Sequence, residues 1–175
     1  MAAEPKASVF NISELGQVCF VVRDLDKSME GLWKTFGIGP WTIKSIDGNM
    51  LSDTKYHGKP GKFTFKIART QKKLGGFEIE LIQPGEGDST YSDFLREHGE
   101  GVHHLGWRMV DNMEAFDRDT KALEDAGFPC LTSGKVKGAA FGYFDTTKVL
   151  NAMLEVYYRD TSVSPSSPDR IYPEK

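Results

Sequence analysis

Hydrophobic and polar positions along the chain fall into two rhythms. Short runs rich in β-branched and aromatic residues, bounded by turn formers, predict strands at Gly16–Val22 (GQVCFVV), Lys62–Ala68 (KFTFKIA), Phe77–Pro84 (FEIELIQP), His103–Val110 (HHLGWRMV), Phe141–Thr146 (FGYFDT) and Ala152–Tyr158 (AMLEVYY). Between some of them the period becomes helical. Asp26–Phe36 sets Met29, Leu32, Trp33 and Phe36 on one face and stops before Gly37. Met113–Ala126 does the same with Phe116, Thr120, Leu123 and Ala126 and stops before Gly127. A shorter helix is expected around Tyr91–His98.

The two halves can be laid over each other. Gln17 precedes Asp24 by seven residues (24 − 17 = 7), and His104 precedes Asp111 by seven (111 − 104 = 7). In both, a strand runs into an acidic turn, an amphipathic helix and a glycine, and the last strand of the unit holds a glutamate, Glu80 or Glu155. The repeat divides the chain into an N-terminal extension (1–13), a first module (14–86), a linker helix (87–100), a second module (101–159) and a Ser/Pro-rich tail (160–175). The tail reads as loosely draped, with Ile171 and Tyr172 able to dock on the body or on a second subunit.

Composition narrows the class. Hydrophobic residues make up 39% of 175, and no apolar run approaches the roughly 20 residues that span a bilayer. The start, MAAEPKASVF, lacks the basic and then apolar pattern of a secretion signal, which points to the cytoplasm. A net charge of −3, from 22 basic and 25 acidic residues, gives no reason to expect nucleic acid. Cys19 and Cys130 read as small buried hydrophobes. The basic cluster Lys55–Lys66 reads as a solvated hairpin, or as a patch for an anionic substrate group.

If the units pair by a pseudo-two-fold, Gln17, Glu80, His104 and Glu155 converge from four strands. One imidazole and three oxygen donors suit a divalent ion such as Zn²⁺, Co²⁺, Mn²⁺, Ni²⁺ or Fe²⁺. Each residue taken singly also has a duller account: an edge glutamine, glutamates facing solvent, a hydrogen-bonded core histidine. His103 and His104 are adjacent on a strand, so alternation forbids both from reaching one ion.

The segments GQVCFVVRDLDKSMEGLWKTFGIGPW, FEIELIQP, GVHHLGWRMVDNMEAFDRDTKALEDAGF and LEVYY resemble the vicinal oxygen chelate superfamily, and within it most resemble the methylmalonyl-CoA epimerase branch. The resemblance implies an α+β fold in which two βαβββ modules pair into a curved mixed sheet enclosing a metal-binding cup. It places the ligands of one divalent ion at Gln17, Glu80, His104 and Glu155 and turns His103 to the other face. The epimerase usually has histidine where this chain has Gln17, and glutamine where it has Glu80. The set found here instead resembles that of some glyoxalase I enzymes.

The activity implied is a racemase or epimerase that moves a proton next to a carbonyl through a metal-stabilised enolate. Glu155 is the first candidate for the base, with Glu80 serving the opposite face. Trp41, His57, Phe141 and Tyr143 are candidates to line the cup, although each fits ordinary core packing as well. The expected substrate is a small carbonyl compound, either an aromatic ketone or an acyl thioester whose phosphates would meet Lys55, Lys59 and Lys62. Two alternatives stand beside this reading: a glyoxalase I-like lyase acting on a thiol hemithioacetal, and a non-catalytic small-molecule binding protein. Exposed sheet edges make a homodimer plausible.

Overall fold

The structure, a computed structural model, describes residues 8, 10, 12 and 14–174, so most of the expected N-terminal extension lies outside the described residues. At its centre β1 (Gln17–Val21) runs antiparallel to β7 (Gly101–Val110). On the far side of β1 lies β6 (Glu78–Pro84), parallel to it, and on the far side of β7 lies β10 (Met153–Arg159), also parallel. Next outward come β5 (Phe65–Thr70) and β9 (Ala139–Phe144), and then β2 (Trp41–Ile46) and β8 (Cys130–Val136), all antiparallel to their inner neighbours. The same succession on both sides of the β1–β7 pair is the pseudo-two-fold of two βαβββ units.

The sheet stays open and mixed. A hairpin of β3 (Ser52–Tyr56) and β4 (Lys59–Pro60) from the first half extends the second half beyond β8. Its two-residue turn places His57 at φ 47° and Gly58 at φ 74°, the left-handed pair that matches hairpin twist. At the other edge β11 (Arg170–Tyr172) pairs with β2. The tail is therefore tied down. Asp169 accepts from Lys44 Nζ at 2.6 Å and from the Ser45 amide at 2.8 Å, Arg170 pairs with Asp26, and Tyr172 packs into the core beneath the first helix.

Helices α1 (Leu25–Phe36) and α3 (Met113–Asp125) cover one face of the sheet. Asp24 caps α1 by accepting from the Lys27 amide, and Gly37 closes it at φ 68°. Asn112, rather than Asp111, caps α3. The second unit thus spans eight residues from ligand position to cap (112 − 104 = 8), because the β7–β10 register slips at Trp107 and absorbs one. Met29 and Trp41 are fully buried under α1, each worth about 1.5–3 kcal/mol of apolar transfer. The opposite face forms the cup. It is packed by Cys19, Val21, Phe63, Phe65 and Ile67, and roofed by Tyr91, Phe94 and Leu95 of α2 (Thr90–Glu97). No helix among the described residues is long and apolar enough to cross a membrane.

Candidate metal centre

Residues directly opposite one another in a sheet share a face. Cys19 on β1 stands opposite both Glu80 on β6 and His104 on β7. Two residues along, Gln17 stands opposite Gly106, which stands opposite Glu155 on β10. The two rows lie on the cup face, and their polar ends meet at His104 Nε2. Gln17 Nε2 lies 3.4 Å from it, Glu155 Oε2 3.5 Å and Glu80 Oε1 3.6 Å. All four side chains are buried. Gly106 forms the floor between the rows: a Cβ there would come within 2.9 Å of Gln17 Cβ and 3.2 Å of Glu155 Oε2.

Side chains that the sequence reading did not assign to the site shape this cluster. Arg69, opposite Glu80 on β5, donates through Nε to Glu80 Oε2 at 2.6 Å. Burial works to raise the Glu80 carboxyl, but Arg69 and then His104 outweigh it and hold it at about 2. Among the described residues Glu155 has no such partner, and its Oε2 makes no hydrogen bond. Burial first, with Glu80 adding repulsion against the pull of His104, raises it to about 7. Cys19 offers Sγ in a group with Glu80 and His104 whose donor atoms all lie within 4.8 Å of one another. Burial, then the charges of Glu80 and Glu155, push its thiol well up. Tyr91 bonds Tyr143, hydroxyl to hydroxyl, at 2.6 Å. Strand alternation could have found Cys19, two residues from Gln17, and Arg69, two beyond Ile67. The expected strand stopped at Ala68, one residue short.

The paired histidines need a correction. His103 does not turn to the opposite face. Between β1 and β7 the register passes from Cys19–His104 to Phe20–Val102, leaving His103 as the extra residue of a β-bulge. A bulge breaks the alternation on which the sequence argument rested. The His103 ring swings to the cup side, where its Nδ1 lies 2.9 Å from His104 Nδ1 and its ring contacts Tyr91, Phe94 and Tyr143.

The proposed lining residues separate into three groups. Tyr143 stacks on His104 with ring centroids 4.4 Å apart, and Phe141 lies beside Tyr143 at 5.4 Å, both on the cup side. His57 sits at the tip of the β3–β4 turn, half exposed, with Nε2 3.6 Å from Asp93. Trp41 corrects the expectation: it faces α1 across the sheet from the cup. Its neighbour Thr42, opposite Arg69, takes the cup side, and alternation sends Trp41 the other way. Lys55, Lys59 and Lys62 are exposed on or beside the hairpin.

The spacing around His104 is informative. Separations of 3.4–3.6 Å are long for hydrogen bonds between buried polar groups. Donors about 2.1 Å from one small divalent ion in tetrahedral array stand about 3.4 Å apart. The two carboxylate oxygens and His104 Nε2 therefore fit such an ion, which Gln17 joins when its amide is turned to present Oε1, with Arg69 orienting Glu80 from outside.

The sequence profile of the Glyoxalase/Bleomycin resistance protein/Dioxygenase superfamily matches residues 16–144. No curated protein matches the chain. Among solved structures, a methylmalonyl-CoA epimerase in complex with methylmalonyl-CoA and NH4+ aligns with TM-score 0.60 and 17% identity, covering 89% of this chain and 100% of that one. The epimerase of Streptomyces coelicolor in complex with 2-nitronate-propionyl-CoA gives 0.61 and 16%, with 89% and 100% covered. That of Mycobacterium tuberculosis gives 0.57 and 16%, with 86% and 88% covered. At these identities the structures attest the fold, and the profile spans most of both units. The chain belongs to the glyoxalase/bleomycin resistance/dioxygenase superfamily.

Proposed function

We propose that the protein is a divalent-metal-dependent isomerase that racemises or epimerises a carbon next to a carbonyl, in a small ketone or acyl thioester. The observation that carries this reading is the pair of carboxylate oxygens 3.5 and 3.6 Å from His104 Nε2, with the Gln17 amide beside them and the buried Glu155 Oε2 left without a hydrogen bond among the described residues. Gln17, Glu80, His104 and Glu155 would hold the ion. Bound there, it supplies a fixed positive charge next to the substrate carbonyl as negative charge develops on it.

The protein's own residues divide the proton work. Glu155, buried, with no hydrogen bond to Oε2 among the described residues and its carboxyl raised by burial to about 7, removes the proton from carbon. Glu80 is the other carboxylate expected to serve the opposite face. Arg69 keeps it ionised, so it suits holding a cation better than giving up a proton. Cys19 stands with Glu80 on the β1–β6 side of His104, across from Glu155, and burial keeps its thiol protonated. We assign the returning proton to it. One turnover leaves Glu155 protonated and Cys19 a thiolate, and exchange with solvent resets both. The stacked Tyr143 fixes the plane of the His104 ring.

The first test is metal content by mass spectrometry on protein purified without chelator or affinity nickel, beside His104→Ala. About one divalent ion per chain in the parent and little in the variant is expected; no metal in either, after dialysis against several divalent ions, refutes the reading. The second test follows deuterium from D2O into candidate ketones and thioesters. Cys19→Ala should still wash deuterium into the starting enantiomer while inverting it at least tenfold more slowly. Equal loss of exchange and inversion would return the second role to Glu80.

A further inference from the structure

Exposure rises along the strands in one direction from the metal centre. Cys19 and His104 are 0% exposed and Glu80 1%; Gln17 and Glu155, in the next row along, are 5% and 6%, and Met109 beyond them is 61%. In the other direction Val21 and Ile82 are sealed in the core that Tyr91 of α2 closes. The centre is therefore reached past Glu155, from the end of the cup where Tyr157 and Met109 stand.

Both residues face the cup for reasons of register. Val156 and Tyr158 pack under α3, so alternation turns Tyr157 to the cup. Met109 stands opposite Tyr157 and just before Val110, which also packs under α3. Strict alternation from Gly106 would bring position 108 to the cup; the slip at Trp107 brings the methionine there instead. Phe141, opposite Tyr157 on β9, adds a second ring on the same side. The half-buried Tyr157 ring lies over two glycines: a Cβ on Gly106 would stand 3.4 Å from its Cε1, and one on Gly16 2.8 Å from its hydroxyl. The same Gly106 position is 3.2 Å from Glu155 Oε2, so little more than the width of a methyl group separates the ring edge from the carboxyl.

We propose that Tyr157 and Met109 form the subsite for the body of the substrate, and that this body is an uncharged aromatic ring within two bonds of the carbonyl carbon, so that the substrate is an aryl ketone. The inference rests on the metal-dependent reading given under Proposed function and deepens it. Two aromatic rings and a thioether present a surface that a flat π-system covers by offset stacking and sulfur contact. The short step from Glu155 to Tyr157 sets the reach: a ring lying on Tyr157 must be joined close to the carbon whose proton Glu155 removes. Tyr157 and Met109 are thus specificity-determining residues, and neither takes part in proton transfer.

The test titrates Zn²⁺-loaded protein in a calorimeter with benzohydroxamate and with acetohydroxamate. Both offer a metal the same two oxygens, and they differ by a phenyl for a methyl. Their intrinsic difference cancels when variants are compared, so the quantity read is the change in the ratio of the two affinities. Tyr157→Ala should lower the preference for benzohydroxamate about three- to tenfold and Met109→Ser about two- to fivefold, with acetohydroxamate affinity and Zn²⁺ content as in the parent. Tyr157→Phe, which keeps the ring, should keep the ratio. Met109 is exposed, so its variant decides the matter even where Tyr157→Ala fails to fold. A ratio unchanged in the variants, or equal weakening of both probes, overturns the proposal while the metal site stands. Failure of the parent to take up any divalent ion overturns the metal reading itself, and this inference with it.

Discussion

Glu80 and Glu155 occupy equivalent places in the two halves, each buried about 3.5 Å from the same imidazole nitrogen, yet the neighbouring strands set different side chains beside them. The residue opposite Glu80 on the next strand is Arg69; the residue opposite Glu155 is Tyr143. Arg69 and then His104 outweigh burial and hold the Glu80 carboxyl at about 2, whereas burial, with repulsion from Glu80, raises that of Glu155 to about 7. Pairs of carboxyls separated in this way mark a division of labour at a site. The repeat supplies two similar frames, and the guanidinium present in only one of them is the difference on which the proposed division, Glu80 holding a cation and Glu155 acting as base, rests.

The largest expected effect breaks the comparison at its reactive end. Glu155→Gln should lower turnover on the order of a hundredfold to ten-thousandfold while keeping most of the metal, whereas Glu80→Gln should lose metal and turnover together. Full turnover in metal-loaded Glu155→Gln would show that Glu155 is not the base.

Breaking the ion pair comes next. Arg69→Met leaves Glu80 buried beside another carboxylate and should cost about 2–4 kcal/mol in urea unfolding, below the range for a fully buried pair because Arg69 is 35% exposed. A loss under about 0.5 kcal/mol would mean that solvent screens the pair. On the other half, Tyr143→Phe removes one hydroxyl of the Tyr91–Tyr143 bond and strands its partner. About 1–2 kcal/mol of stability should be lost with metal uptake intact; loss of metal would give the phenol a direct part in the centre.

The smallest effect sharpens the contrast through pH in the metal-free protein. Glu80 is depressed when folded, so its contribution is present above the ordinary carboxylate range and is lost as pH falls toward about 2. Glu155 is raised, so its contribution is complete below that range and is lost as pH rises through about 7. Metal-free Glu155→Gln should therefore be more stable than the parent at pH 8, on the order of 1 kcal/mol, and no more stable at pH 4. Equal differences at both pH values would contradict the assignment.

Much of the frame was legible because it is written locally. The strands around Gln17, Glu80, His104 and Glu155, and the helices after Asp24 and near Asn112, follow from side-chain period and turn formers that neighbouring residues enforce. Other strands carried weaker signals. Trp41–Ile46, Ser52–Tyr56 and Cys130–Val136 mix polar and small residues among few aliphatics, and Arg170–Tyr172 sits in a Pro/Ser-rich stretch that pairing with β2 alone makes a strand.

The sequence by itself determined the repeated unit, because periodicity and spacing are properties of nearby residues and the repeat states them twice; with the family resemblance it also pointed to the α+β class and to the four residues that the structure brings together, Gln17, Glu80, His104 and Glu155. Tertiary structure alone decided that His103 joins His104 on the cup side, that Trp41 goes beneath α1, and that Arg69 reaches Glu80. Each depends on the register between strands distant in sequence: a bulge against β1, the face of β2 laid on β5, and the pairing of β5 with β6. Register is set by the whole core closing at once, and a one-residue slip moves a side chain from one face to the other.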